Sequence, residues 1–592
     1  MRISVLVAGG GPAGLAAAVE LGRRGIRVCV VEPRVVIDHD RPRAKSTSIR
    51  TMEHLRRWGL AGRLRDAAAL PVSWSQDVAF CTALLGTELT RFRNAFGLYD
   101  VRRDDRAEHG QQVPQPVVEQ VLREAVAELP SVTCLMGHTV TGVEQDAQGV
   151  RATVTGPDGA RVISAEYLLG CDGAAGITRT AIGASYTGSS GERPNLSVVF
   201  EAPGLAEKVP LNPAVHYWVV SPSVSGLMGR LDLDDRWWAI VQKVDTRETA
   251  PDALALVRSL IGPGDGVQVR VVATDPWIAR MLLVDRYNSG RVFLVGDAAH
   301  LNPPWGGHGF NTCVGDAVNI GWKLAAVLQG WGGSGLLDSY EPERRPVAAQ
   351  TIADSSAQEK LLAPSFASLL DSGDVADALQ VKAGEFYSEG LVLGYHYAAS
   401  PIVVDDGSPV PPHTPETYAP TARPGARLPH AWLPDGTSLY DLLGDGFTLL
   451  RLGDADPAGE TCLPEEPFLL RHEQCREVGS GQIADRDRGL LQAGAIVRGR
   501  PAGGGGNEHG QAEKHGKGPA THSFRHSNHA TRKITTCQDR NCGRPGQART
   551  CPAHPSGKQL LTRVNAPEIL RFGAANVGVP GLAGGRSGGK AW

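Results

Sequence analysis

Ile3-Ser4-Val5-Leu6-Val7-Ala8-Gly9-Gly10-Gly11-Pro12-Ala13-Gly14 decides the fold. Residues 3–8 form an unbroken apolar run, the pattern of a strand buried on both faces. Residues 12–25 follow with Leu15, Val19 and Leu21 at helical spacing, and Ile26-Arg27-Val28-Cys29-Val30-Val31-Glu32 reads as a second strand. This is a βαβ opening, with a glycine turn between its first strand and its helix. Gly9, Gly11 and Gly14 satisfy G-x-G-x-x-G in the one context the motif needs. Gly9 permits the tight turn, Gly11 lets the backbone approach a pyrophosphate, and Gly14 lets helix and strand pack closely. The helix N-terminus then offers unpaired N–H groups and a partial positive charge to phosphate. Glu32 ends the second strand, where a carboxylate accepts hydrogen bonds from ribose hydroxyls. An acid at this position argues against a 2′-phosphate here and leaves both FAD and NAD open.

Outward from this opening, helical patterns recur at 47–68 and 115–128. Alternating segments at 133–155 and 160–171 predict strands around a turn at Pro157-Asp158-Gly159. Short alternating runs between 186 and 284, such as Val215–Val220 and Trp237–Val241, predict an antiparallel sheet. A strand at 291–295 leads through a glycine-rich turn to a helix at 310–328, and more helix follows to about 395. A proline-rich linker spans 401–430, and a short αβ-like unit occupies 436–452. The expected domains are 1–185 and 285–400 for a dinucleotide-binding fold, 186–284 for an inserted sheet domain, a linker at 401–430, an appendage at 431–465 and a tail at 466–592. The class is α/β with an α+β insert.

The bulk numbers narrow the function. A net charge of −3 gives no pull toward nucleic acid or acidic membranes. No uninterrupted apolar run is long enough to span a bilayer, which takes about 20 residues. The apolar run after Arg2 passes straight into the glycine turn, so it reads as a buried strand and not an export signal. A cytoplasmic protein with reduced thiols is expected, with Cys29, Cys81, Cys134, Cys171 and Cys313 acting as small buried hydrophobes. The tail is rich in Gly, Arg and His, with a run at Gly503–Gly506 and almost no apolar period, as in a disordered or frameshifted segment. Its Cys537, Cys542 and Cys551 with His522, His526, His529 and His554 match no usual zinc module, and no metal site is expected.

Three further segments carry a family resemblance. Residues 165–179, Ala-Glu-Tyr-Leu-Leu-Gly-Cys-Asp-Gly-Ala-Ala-Gly-Ile-Thr-Arg, hold Asp172. Residues 291–300, Arg-Val-Phe-Leu-Val-Gly-Asp-Ala-Ala-His, hold Gly296 and Asp297. Residues 303–323 contain Pro304, Trp305, Gly306, Gly307, His308, Gly309, Phe310 and Asn311. Together they resemble the FAD-dependent aromatic hydroxylases, the p-hydroxybenzoate hydroxylase-like flavoprotein monooxygenases, in the branch acting on phenols and aromatic polyketides. The resemblance implies that Asp297, in the second FAD motif, binds a ribityl hydroxyl, that Arg43 and Gln115 lie by the flavin, and that Asp172, in the Asp-Gly motif, belongs to the cofactor-binding residues. It also implies NADPH or NADH and O2 as co-substrates, a small aromatic substrate, a monomer or homodimer, and hydroxylation through a flavin C4a-hydroperoxide. The region from Leu433-Pro434-Asp435-Gly436 resembles the start of the family's thioredoxin-like appendage, which then becomes incomplete or divergent. Gly176 stands where the family commonly has Ser, and Cys313 where it commonly has Gly; both positions are expected to tolerate small residues.

The glycine loop also makes sense on physical grounds. Gly306, Gly307 and Gly309 let the backbone lie against a ring system, and the helix starting near Phe310 points its amides at the edge where a reduced flavin gathers charge. Pro304, Trp305 and His308 are candidates to face flavin or substrate. His300 and His308 fit either a proton shuttle or loop packing, and Trp218, Trp237, Trp238 and Trp305 either a substrate wall or core. A Baeyer–Villiger oxygenase and a non-catalytic flavin-binding protein are the alternatives. A halogenase is disfavoured because no Trp-x-Trp-x-Ile-Pro segment occurs, and a disulfide reductase because no redox Cys pair follows the first βαβ unit.

Overall fold

In the computed structural model, Ile3–Ala8 lies inside an eight-stranded sheet. It pairs in parallel with Val28–Glu32 on one side and with Gly159–Gly170 on the other. Val132–Met136 extends the sheet beyond the first neighbour and Val292–Leu294 beyond the second, both in parallel. Val5, Leu6 and Val7 are fully buried, in one core with residues of the helices Pro12–Gly22 and Gly309–Leu328 and with Val140, Val150, Ala152 and Val154 of the neighbouring strands. The helix Pro12–Gly22 crosses between the first two strands, with proline in its first turn, where a missing N–H costs nothing. The helix Gly309–Leu328 packs on it so closely that a Cβ at Gly321 would lie 2.7 Å from Glu20 Cγ. The hairpin expected near residue 158 joins Gly149–Gly156 to Gly159–Gly170, with Gly159 at φ +100°.

The structure describes residues 3–450, apart from 192–193, 222–223, 245–250, 265 and 361–378, together with 476–478. The chain divides into Met1–His529 and Ala530–Trp592. The second unit and nearly all of the tail at 466–592 lie outside the described residues. So does part of the expected appendage at 431–465. Among the described residues no helix is long and apolar enough to cross a membrane, and no group of three His, Cys, Asp or Glu side chains could hold a metal ion.

The second large sheet differs from expectation in its membership. Five of its seven strands come from 186–284: Arg270–Trp277, Asn195–Glu201, Arg236–Val241, Ser225–Arg230 and His216–Val220, paired antiparallel in that order. The other two, Val78–Cys81 and Glu88–Phe92, come from the first 185 residues, and Val78–Cys81 joins His216–Val220 in parallel. Both faces are covered. Trp237 stacks on Phe200 within the cluster beneath the helix Ala253–Ile261, whereas the next residue, Trp238, points to the opposite face with Val199 and Leu231. That alternation is the two-residue period of a strand.

The proline-rich stretch 401–430 carries no regular helix or strand, but it is not a free tether. Buried Arg427 forms an ion pair with buried Glu53 and donates to Tyr418. Beyond it, Ser438 and Asp441 make a capping box on Leu439–Leu442, and Asp441 pairs with Arg56. Thr448–Leu450 then pairs in parallel with Arg476–Val478, a strand in a region where the composition predicts none. Three residues without an alternating pattern become a strand only through a distant partner.

Candidate active site

The glycine turn is built as its spacing demands. Gly9 sits at φ +102°, and a Cβ there would lie 2.2 Å from the Cys171 carbonyl oxygen. A Cβ at Gly14 would lie 1.9 Å from the Gly9 oxygen. Gly11 differs: the nearest atom to its would-be Cβ is an Arg34 nitrogen 4.0 Å away. Internal packing does not require glycine there, so the space is open to a ligand. No side chain caps the helix that starts at Pro12. Glu32 is buried; its Oε2 accepts from Gly10 N at 2.6 Å, and its Oε1 from Arg34 Nε at 2.7 Å. A carboxylate offers about four lone-pair sites, so capacity for ribose hydroxyls remains.

At the other end of the sheet, Val292–Leu294 leads to Gly296 at φ +65° and an exposed Asp297. One carboxylate oxygen of Asp297 accepts from Cys313 Sγ at 3.5 Å, so the unusual cysteine touches the residue expected to hold the ribityl chain. Burial pushes the Cys313 thiol well up, and the Asp297 and Asp316 charges add to this, so it is a neutral donor. Asp297→Ala should lower FAD affinity roughly ten- to a hundredfold, the loss of a charged acceptor worth about 1.5–3 kcal/mol. Because the side chain is exposed, expression should persist; unchanged FAD affinity by fluorescence titration would remove Asp297 from the cofactor site.

Between these ends lies a cleft lined by Ser46, Ser48, Phe96, Gly306, Gly307 and His308. Gly306 and Gly307 adopt φ +78° and +69°, which only glycine does freely, and nothing lies within 4 Å of a Cβ on Gly309. Asn311 clasps the two walls. Its Nδ2 donates to Ser46 O at 3.0 Å and to Gly307 O at 2.8 Å, while its Oδ1 accepts from Ser48 N at 2.9 Å. Gln115 acts through its backbone N–H, which donates to Ala44 O at 2.8 Å and fixes the segment where exposed Arg43 turns at φ +47°. Gly309–Leu328 begins here with no side-chain cap, and Phe310 anchors it in the main core. Pro304 is exposed, and Trp305 packs against the cluster of Trp218, Phe96 and Phe386. His308 is buried and held down at about 4 by its burial, hence neutral at physiological pH. The residues fit FAD: an unfilled glycine contact at each end, an open acid, and an uncapped 20-residue helix at the ring position.

Three further residues are placed as follows. Asp172 accepts from Thr178 N at 3.0 Å and from Thr178 Oγ1 at 2.5 Å, closing a turn. A Cβ at position 176 would lie 2.0 Å from Asp172 Cγ, so a side chain there requires the Asp172 carboxylate to turn away. The proton-shuttle option for His300 fails on geometry. The ring is fully buried, with Nε2 2.7 Å from Asp316 Oδ2 and Nδ1 2.8 Å from Asn302 Oδ1. Burial acts to lower its pKa, but the Asp316 carboxylate outweighs this and raises it above the ordinary value. Asp316, not singled out in the sequence, completes the cluster by accepting from Arg344 Nε at 2.7 Å and from Gly296 N at 3.2 Å, which fixes the loop beneath Asp297.

Known proteins place this geometry. The model of the FAD binding domain matches residues 2–355. The chain is 32% identical to 2,4-dichlorophenol 6-monooxygenase of Delftia acidovorans over 84% of its length and 93% of that protein. It is 32% identical to aklavinone 12-hydroxylase RdmE of Streptomyces purpurascens, covering 76% and 84% of the two chains. The flavin-dependent monooxygenase PieE, solved with FAD and substrate, superposes with a TM-score of 0.68 at 31% identity, over 76% of this chain and 85% of that one. The family match spans more than half of the chain and these relatives cover more than two thirds of it, so the chain belongs to the FAD-binding-domain family of flavin-dependent monooxygenases.

Proposed function

We propose that this enzyme hydroxylates an electron-rich aromatic ring, phenolic or polyketide, using NADPH or NADH and O2. The observation that carries the proposal is Phe96, which lines the cleft beside the glycine loop and is backed by the aromatic cluster of Trp218 and Phe386 on which Trp305 also packs. The relatives named for dichlorophenol and aklavinone support the substrate class. When bound, FAD supplies the redox and oxygen chemistry, and the protein supplies position and dryness. Gly9, Gly11, Gly14 and Glu32 hold the dinucleotide end, Asp297 the ribityl chain, and Arg43, the Gln115-fixed segment and the loop from Gly306 to Asn311 the ring. The open N-terminus of Gly309–Leu328 stabilises negative charge there. The substrate is a small molecule, the setting cytoplasmic, and the unit a monomer or homodimer without nucleic-acid or membrane partners.

The test is a panel of phenols and polyketide aromatics scored for stimulated NAD(P)H consumption and product mass. One added oxygen on the ring is expected. Oxygen inserted beside a ketone would replace hydroxylation with Baeyer–Villiger chemistry, and reductant consumption without any oxygenated product would sink both.

A further inference from the structure

Lys45 is buried, 8% exposed, in the segment between Arg43 and the clasped Ser46. Among the described residues its ammonium has no carboxylate and no hydrogen-bond acceptor. Its recorded contact is the Trp238 ring, with Nζ 4.2 Å from the centroid. A buried lysine without a counter-ion is costly, and a cation–π contact of about 0.5–2 kcal/mol offsets only part of that cost. His216 stands edge-on to Trp238 at 5.0 Å, and its buried Nε2 has no partner among the described residues. On its other side His216 meets Phe96 at 5.0 Å between ring centroids, and Phe96 lines the cleft of the glycine loop. Phe96 at the cleft, His216, Trp238 and Lys45 thus follow one another in a single chain of contacts, which among the described residues carries the unpaired Lys45 ammonium and the unpartnered His216 Nε2 directly behind the cleft wall.

Resting on the ring-hydroxylase reading, we propose that Lys45 takes the phenolic proton of the aromatic substrate and then holds the resulting phenolate oxygen, with neutral His216 beside it. The step balances. The substrate O–H bond breaks, an N–H bond forms on Nζ, and the electron pair stays on oxygen, enriching the ring that is to be oxygenated. The buried cation without a counter-ion thereby acquires one.

Burial alone brings Lys45 down to about 7, so the free amine that must accept the proton is available at neutral pH. Burial first, and then the Lys45 charge, holds His216 at about 3, so it does not compete for that proton. The other charged groups on neighbouring elements are already paired: Arg236, on the strand of Trp238, with Asp40, and Lys382, over the Trp218 ring, with Glu385. Lys45 is therefore the cation left to meet an anionic ligand here.

The test uses the FAD-loaded protein and 3-nitrophenol, a weak acid whose visible absorption reports its ionisation, just above neutral pH, where the free probe is mostly neutral and the Lys45 amine mostly free. Wild type should bind it as the coloured anion. Lys45→Met, with unchanged FAD content, should bind it roughly ten- to a hundredfold more weakly and without the colour, the cost of losing a charged hydrogen bond. Lys45→Arg keeps the cation and should restore anion binding. Full-strength anion binding by Lys45→Met, binding of the neutral phenol by wild type, or no binding at all would overturn the assignment. If wild type binds the anion but oxygenates no phenol, the hydroxylase reading fails and the Lys45 site stands.

Discussion

Asp316→Ala should destabilise the folded protein by about 3–5 kcal/mol, read as a fall in the denaturant midpoint. Asp316 is fully buried and faces two buried cations, His300 and Arg344. Removing it leaves Arg344 with neutral partners, Tyr397, Tyr395 and the Thr312 carbonyl, and no carboxylate, and strips the acceptor from His300 Nε2. An uncompensated buried charge is the expensive result; removing the whole cluster is not. A triple variant with apolar residues at 300, 316 and 344 should therefore be less destabilised than the single one. Equal stability of wild type and Asp316→Ala would show that the cluster is solvated.

The same cluster sets a pH window. For His300, burial pulls the imidazole down, but the Asp316 carboxylate outweighs it and raises its pKa above the ordinary 6.5. Its contribution is complete below 6.5 and is lost as pH rises through the raised value. For Asp316, burial acts upward, but Arg344 and His300 outweigh it and hold the carboxyl below the ordinary 3.8. Its contribution is complete above 3.8 and is lost as pH falls through the lowered value. The stability gap between wild type and variant should be widest between these limits. A gap independent of pH would mean that neither group changes charge on unfolding.

Gly14→Val and Gly11→Ala should both abolish or cripple FAD binding, for opposite reasons. At Gly14 the added carbon would lie 1.9 Å from backbone oxygen, so helix and turn must separate. Overpacking of this kind costs about 1–3 kcal/mol or more, and the apoprotein should be destabilised as well. At Gly11 the added methyl meets nothing nearer than 4.0 Å and the backbone is extended, at φ −76° and ψ −175°. Apoprotein stability should stay within about 0.5 kcal/mol of wild type. FAD affinity should nonetheless fall roughly a hundredfold or more if a pyrophosphate lies against that carbon, a contact worth about 3 kcal/mol. Retained affinity in Gly11→Ala would move the pyrophosphate away from the turn.

What the sequence made legible was local. Strand, glycine turn, helix and acid lie within the first 32 residues, and each signal is a short-range period or a backbone requirement. The same holds for the loop from Gly306 to Asn311. What escaped depended on partners far along the chain. Val78–Cys81 is a strand because His216–Val220 lies beside it, and Arg427 docks the 401–430 stretch because Glu53 is buried beneath it. The carboxylate of Asp172 belongs to a recognisable motif, yet its orientation is decided by Thr178. Lys45 carries no periodic signal at all; its isolation is visible only when Trp238 and His216 surround it.

The helix Gly309–Leu328, whose first turn is proposed to meet the flavin ring, packs along Pro12–Gly22, whose own first turn is proposed to meet the pyrophosphate. With Gly321 pressed on Glu20, the two helices form one stiff clamp, so neither jaw opens independently of the other. On the proposed binding mode, FAD should therefore leave both ends of its site together, and loosening the Gly321–Glu20 contact should shorten its residence time.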